Sequence, residues 1–109
     1  MMRKEELIQK IIEEQSQIIG SNLAKSRAVA TGAITYTEKN EINITQEPTI
    51  ALDKLMNAYR EIFGQASVDV CMDVIRRLPY DQVSPYLSDS VVKALRKANS
   101  PAAFLQRKS

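Results

Sequence analysis

The residue types that could do chemistry are sparse, and their spacing narrows the possibilities further. The chain contains no histidine and one cysteine, Cys71. Histidine is the usual general base near neutral pH and the commonest transition-metal ligand. Without it, neither a Ser-His-Asp nor a Cys-His arrangement can form within one chain, and a zinc site of the ordinary Cys/His type is excluded. Asp69 and Asp73 stand one helical turn apart and could in principle hold Mg²⁺, but Asp69 suits a helix N-terminus and Asp73 can pair with Arg76 or Arg77. Glu5-Glu6 and Glu13-Glu14 read as a solvated helix face. Ser90-Val91-Val92-Lys93 fits the S-x-x-K pattern of some acyl transferases, but its companion motifs are missing. Gly20, Gly32 and Gly64 are too scattered to cradle a phosphate. The expectation is a non-enzymatic protein with no cofactor and no metal.

Cationic residues are the remaining chemical resource. Residues 1 to 80 carry ten basic and eleven acidic side chains, whereas residues 81 to 109 carry five basic and two acidic. Lys93, Arg96 and Lys97 lie at i, i+3 and i+4, and Arg107 and Lys108 follow in the tail. Neutralising three to five phosphates gives weak, salt-sensitive nucleic-acid binding. Cations near a helix C-terminus also complement its macrodipole, which is the simpler account. Nucleic-acid binding is therefore the alternative function rather than the favoured one.

The elements that must position these groups follow from periodicity. A chain of 109 residues, 44% hydrophobic and 26% charged, suits one domain with one core. No apolar run approaches the ~20 residues a membrane-spanning helix needs. The start, MMRKEELIQK, lacks the apolar block of a secretory signal. Cys71, between Val70 and Met72, reads as a buried inert thiol in a reducing compartment, so a cytoplasmic location is expected.

Residues 1–20 form an N-terminal helix. Leu7, Ile8, Ile11, Ile12, Ile18 and Ile19 keep to one face, and Gly20 ends it. Gln15 projects near the middle of this isoleucine face. It either sets register in a seam between helices or hydrogen-bonds a backbone carbonyl in its own core. Residues 21 to 33 are small and polar and read as a loop, with a further helical turn through Leu23 to Ala30 as the variant.

Residues 33–46 read as a β-hairpin arm. With Glu38, Lys39 and Asn40 as a three-residue loop, Ile34, Tyr36, Ile42 and Ile44 share one face. Thr35, Thr37, Glu41 and Asn43 share the other, and a one-residue slip would scatter the apolar set. Asn40 suits the left-handed position such loops use. Two isolated strands are marginal in water, so the apolar face must lie either on the chain's own helices or on a neighbour.

Residues 49–108 predict a bundle of about four helices. Leu52, Leu55, Met56, Tyr59, Ile62 and Phe63 keep helical spacing up to Gly64, and ASVDVCMDVIRRL is apolar almost all round up to Pro79. Ser88 reads as the N-cap of a helix carrying Val91, Val92, Leu95 and Ala98 inward, and Ser100-Pro101 opens a short last helix. The fold class is thus mainly α: a long amphipathic helix, a hairpin arm and a helical bundle.

If Leu52, Met56, Tyr59, Phe63, Val70, Val74, Ile75, Leu95 and Phe104 already make a core, the first helix and the hairpin bring surplus apolar surface. Six aliphatic side chains at ~1.5–3 kcal/mol each amount to on the order of 10 kcal/mol, comparable to a domain's stability. The expected function is accordingly a protein–protein interaction or regulatory module acting as a homodimer. Its expected interface is Leu7, Ile8, Ile11, Ile12, Gln15, Ile18, Ile19, Ile34, Tyr36, Ile42 and Ile44. The partner is a second copy or another protein, and no membrane is involved.

Overall fold

A computed structural model describes residues 2–98. Helix α1 spans Lys4–Ile19 and α2 spans Ser21–Ala30, with Gly20 alone between them. Strands β1 (Ile34–Tyr36) and β2 (Ile42–Ile44) form the hairpin. Then come α3 (Pro48–Phe63), α4 (Gln65–Arg76), the single turn α5 (Tyr80–Val83), a 3-10 turn at Ser84–Tyr86, and α6 (Asp89–Ala98). The mainly α architecture with one antiparallel hairpin is as the periodicity predicts. The short last helix expected after Ser100, and Phe104 with it, lie outside the described residues.

Both one-residue helix corners depend on glycine. Gly20 has φ 90 and ψ 150, and Gly64 has φ 65 and ψ −144. That quadrant is essentially closed to residues with a Cβ. Each glycine also donates its N–H back into the preceding turn, Gly20 to Ser16 and Gly64 to Arg60. The chain therefore folds back at once, laying α2 along α1 and α4 along α3.

The expected loop over residues 21 to 33 is a correction, because Ser21–Ala30 is a full helix. Its inward residues, Ala24 and Ala28, are small and completely buried. Small side chains at i, i+4 let two backbones approach closely and give no hydrophobic contrast in the sequence. The approach is close enough for the Tyr59 hydroxyl on α3 to donate to the Ala24 carbonyl at 2.9 Å.

The hairpin has the expected register, pairing Ile34 with Ile44, Thr35 with Asn43 and Tyr36 with Ile42. Asn40 has φ 65, and its N–H donates to the Thr37 carbonyl at 2.8 Å, closing the loop. Ile34 is buried, Tyr36, Ile42 and Ile44 are half-buried, and Thr35, Thr37, Glu41 and Asn43 are exposed. The ribbon lies on its own chain, β1 against α2 and β2 against α1. It is not a free arm.

One apolar cluster runs through every helix and the hairpin. Leu7, Ile8, Ile11 and Ile12 are at most 2% exposed, covered by α2, α3 and α4 of the same chain. The supposition that the C-terminal helices form a separate core is thereby corrected. Phe63, expected inside, is 50% exposed at the last residue of α3, and Val70 is only half-buried. Ser88 caps α6 as expected, its hydroxyl accepting from the Val91 N–H at 3.4 Å.

Candidate functional site

The residues expected to pair two copies are mostly consumed inside one. Leu7, Ile8, Ile11, Ile12, Gln15 and Ile34 are buried by their own chain, and Ile19, Tyr36, Ile42 and Ile44 are half-buried against it. Of that set, Ile18 is the one large aliphatic that stands exposed, at 52%. Gln15 resolves in favour of its own core. Its Nε2 donates to the Ser67 carbonyl at 2.8 Å and lies 3.4 Å from Cys71 Sγ. Its Oε1 and the Ser67 hydroxyl are buried without a hydrogen-bond partner among the described residues.

The reactive-looking residues sit in ordinary surroundings. Cys71 is buried, and burial pushes its thiol up to about 11 against a weaker opposing hydrogen bond from Gln15. A thiol held neutral in this way is a poor nucleophile. Burial likewise raises the Tyr59 and Tyr36 hydroxyls above their usual value. Ser90 reaches the Ser88 hydroxyl at 3.1 Å, and Ser88 donates to Asp53 at 2.8 Å, so this serine chain serves the start of α6. Asp69 accepts from the Gln65 side chain at 3.0 Å. Arg77, one of the two residues that could pair with the Asp73 carboxylate, instead donates to the Asp73 backbone carbonyl and pairs with Glu14 at 3.4 Å. No group of three or more acidic, cysteine or histidine side chains is placed to hold a metal ion among the described residues. None of the described helices is long and apolar enough to cross a membrane.

Among the expected cations, Lys93 and Arg96 are exposed on α6. The Lys97 side chain, Arg107 and Lys108 lie outside the described residues. Arg96, however, borders a feature that periodicity did not anticipate. An open groove of about 680 Å³ runs between the end of α4 and the outer side of α6. Ile75, Leu78, Tyr80, Val92 and Leu95 form its apolar lining, and Arg76 and Arg96 stand at its edges.

Local sequence explains why the groove exists. Pro79 stops the α4 segment, so Leu78 and Tyr80 are left at the edge of the helix pair rather than beneath it. On α6, Val91 and Leu95 face the core while Val92, one position round, is only half-buried. Leu78 is also half-buried, and Tyr80 is 56% exposed. The available signal was the excess width of the α6 apolar face, Val91, Val92 and Leu95 together. Its meaning depends on helix placement, which the residue pattern alone does not encode.

Comparison with known proteins supplies no further constraint: no family model, no curated protein and no solved structure matches this chain.

Proposed function

We propose that this chain is a non-enzymatic protein-interaction module whose docking surface is the α4–α6 groove. One observation supports it above the others: Leu78, Tyr80 and Val92 lie partly open together along one groove, whereas exposed apolar residues such as Ile18 and Phe63 do not line it. An apolar floor with a charged border is the arrangement of core and rim found at docking sites. Tyr80 is the residue type that anchors such contacts, offering a large ring with a polar tip. The occupant that fits a strip between two helices is a third helix, presenting aliphatic residues at i, i+3, i+4 and i+7.

Pairing of two copies through the first helix is not renewed, because the surplus surface that motivated it is absorbed within one chain. Nucleic-acid binding through Lys93 and Arg96 has less support, since an apolar floor contributes nothing to phosphate contacts.

The docking surface is tested by titrating the labelled protein with a synthetic helix of about four turns, leucine on one face and neutral polar residues elsewhere. Amide resonances of residues 75–80 and 92–96 are expected to shift together, and Tyr80→Ser to abolish the response. Shifts confined to other surfaces, or no shifts, would refute the assignment.

A further inference from the structure

We infer that the preferred occupant of the groove is an amphipathic helix with carboxylates flanking its apolar face, supplied by a protein other than this chain. The inference rests on the groove being a docking surface and adds the charge of what docks there. Arg76 and Arg96 lie on opposite walls, one in the last turn of α4 and one on α6. Both are exposed, and neither enters an ion pair among the described residues. Arg77, the next residue along, is by contrast already committed to Glu14 and the Asp73 carbonyl.

The spacing suits one partner helix. On α6, Val92, Leu95 and Arg96 stand at i, i+3 and i+4, so that wall offers about one turn of contact, ~5 Å; opposite it, Ile75 and Arg76 end α4 and Leu78 follows in the bend before Pro79. A helix laid on that floor with its aliphatic face towards Leu78, Val92 and Leu95 has its flanking polar positions on the sides where Arg76 and Arg96 border the groove. A planar guanidinium takes a carboxylate through two parallel N–H bonds, which fixes orientation as well as sign. Lys93, exposed three residues before Arg96, extends the positive border along α6. Residues 99–109 carry Arg107 and Lys108 and no acidic side chain, so this chain's own C-terminal segment is the wrong sign for the site.

The test uses the full chain and three probes. Two are synthetic helices with the same leucine face, one with glutamate and one with lysine at the flanking positions. The third is a short DNA duplex. The glutamate helix is expected to bind at least about tenfold more tightly than the lysine helix at low salt, with the difference shrinking several-fold as salt rises from about 50 to about 500 mM. Arg76→Gln with Arg96→Gln is expected to reduce that preference several-fold, weakening the glutamate helix and relieving the repulsion felt by the lysine helix. Both arginines are exposed, so the double variant keeps its helical circular dichroism. Equal binding of both helices overturns the charge inference and leaves the docking surface standing. Binding of neither helix overturns both, and binding of the duplex alone would transfer the basic border to a nucleic-acid role.

Discussion

Gln15 offers the sharpest test of how this core is held together. It is completely buried on α1, yet its amide is only half used. Nε2 donates to the Ser67 carbonyl, which as an interior α4 acceptor also has its own helical N–H to receive, while Oε1 has no partner among the described residues. Replacing Gln15 with leucine removes the hydrogen bond to Ser67, costing about 1 kcal/mol, and the long, weaker one to Cys71 Sγ, and it removes a buried unpaired oxygen, returning ~1–3 kcal/mol. The added apolar burial contributes up to ~1–2 kcal/mol, offset by any misfit of the branched side chain. Gln15→Leu is therefore expected to be neutral or stabilising by about 1–2 kcal/mol. Gln15→Ala also relieves the oxygen but opens a cavity, so it should be destabilising, and less stable than the leucine variant by about 2–4 kcal/mol. Urea unfolding followed by far-ultraviolet circular dichroism resolves this, since a slope of about 1–3 kcal/mol per molar converts the difference into a midpoint shift on the order of 1 M or more. A loss above ~1.5 kcal/mol in Gln15→Leu would show that Oε1 is satisfied by something further, such as a buried water.

Three further outcomes follow from the same packing. Ile11→Asp buries a carboxylate at a fully enclosed position and is expected to cost more than ~4 kcal/mol, unfolding the chain, whereas Ile18→Asp should stay within about 1 kcal/mol; a folded Ile11→Asp chain that sediments as half a wild-type dimer would instead return the stripe to an interface. Gly20→Ala meets no atom within 4 Å, so its expected loss of ~1–3 kcal/mol is purely backbone strain at φ +90, and an unchanged urea midpoint would remove the tight-corner account. For Cys71 the folded thiol titrates near 11 against 9.0 unfolded, so its contribution is complete below pH 9 and is lost as pH rises through 11; Tyr59 shifts in the same direction. Urea midpoints should fall across that alkaline window, and Cys71→Ala should lessen the fall.

The parts of the fold legible in the sequence are those where local chemistry and burial point the same way. The hairpin register is one: a period-two apolar face, the need to keep Ile34, Tyr36, Ile42 and Ile44 together, and an asparagine tolerant of φ 65 all select a single pairing. Helix α2 is the opposite case. Ala24 and Ala28 stabilise packing by being small, and smallness leaves no hydrophobic periodicity to read. Phe63 has core spacing but stands where α3 runs out, one residue before the Gly64 corner. The groove was illegible for a related reason: Val92, Leu78 and Tyr80 have unremarkable types, and only the placement of α6 beside α4 leaves them partly open together.

The aliphatic stripe of the first helix isolates what apolar area can and cannot decide. A stripe such as Leu7, Ile8, Ile11 and Ile12 must be covered, and the order of 10 kcal/mol at stake is the same whether the cover belongs to the same chain or to another. Area therefore predicts burial without predicting whose residues do the burying. Two features favour cover by the same chain here. The Gly20 corner brings α2 back along α1 with no intervening chain, so closing that contact has little loop entropy to overcome. The Gln15 amide then finds its acceptor on α4, at the Ser67 carbonyl 52 residues away in sequence. In a two-fold seam Gln15 would need a copy of itself as partner; in this core it needs an acceptor one helix over, and Ser67 supplies one. A lone polar residue in an apolar stripe thus carries more information about the partner surface than the apolar residues around it, because only its hydrogen bond has a direction.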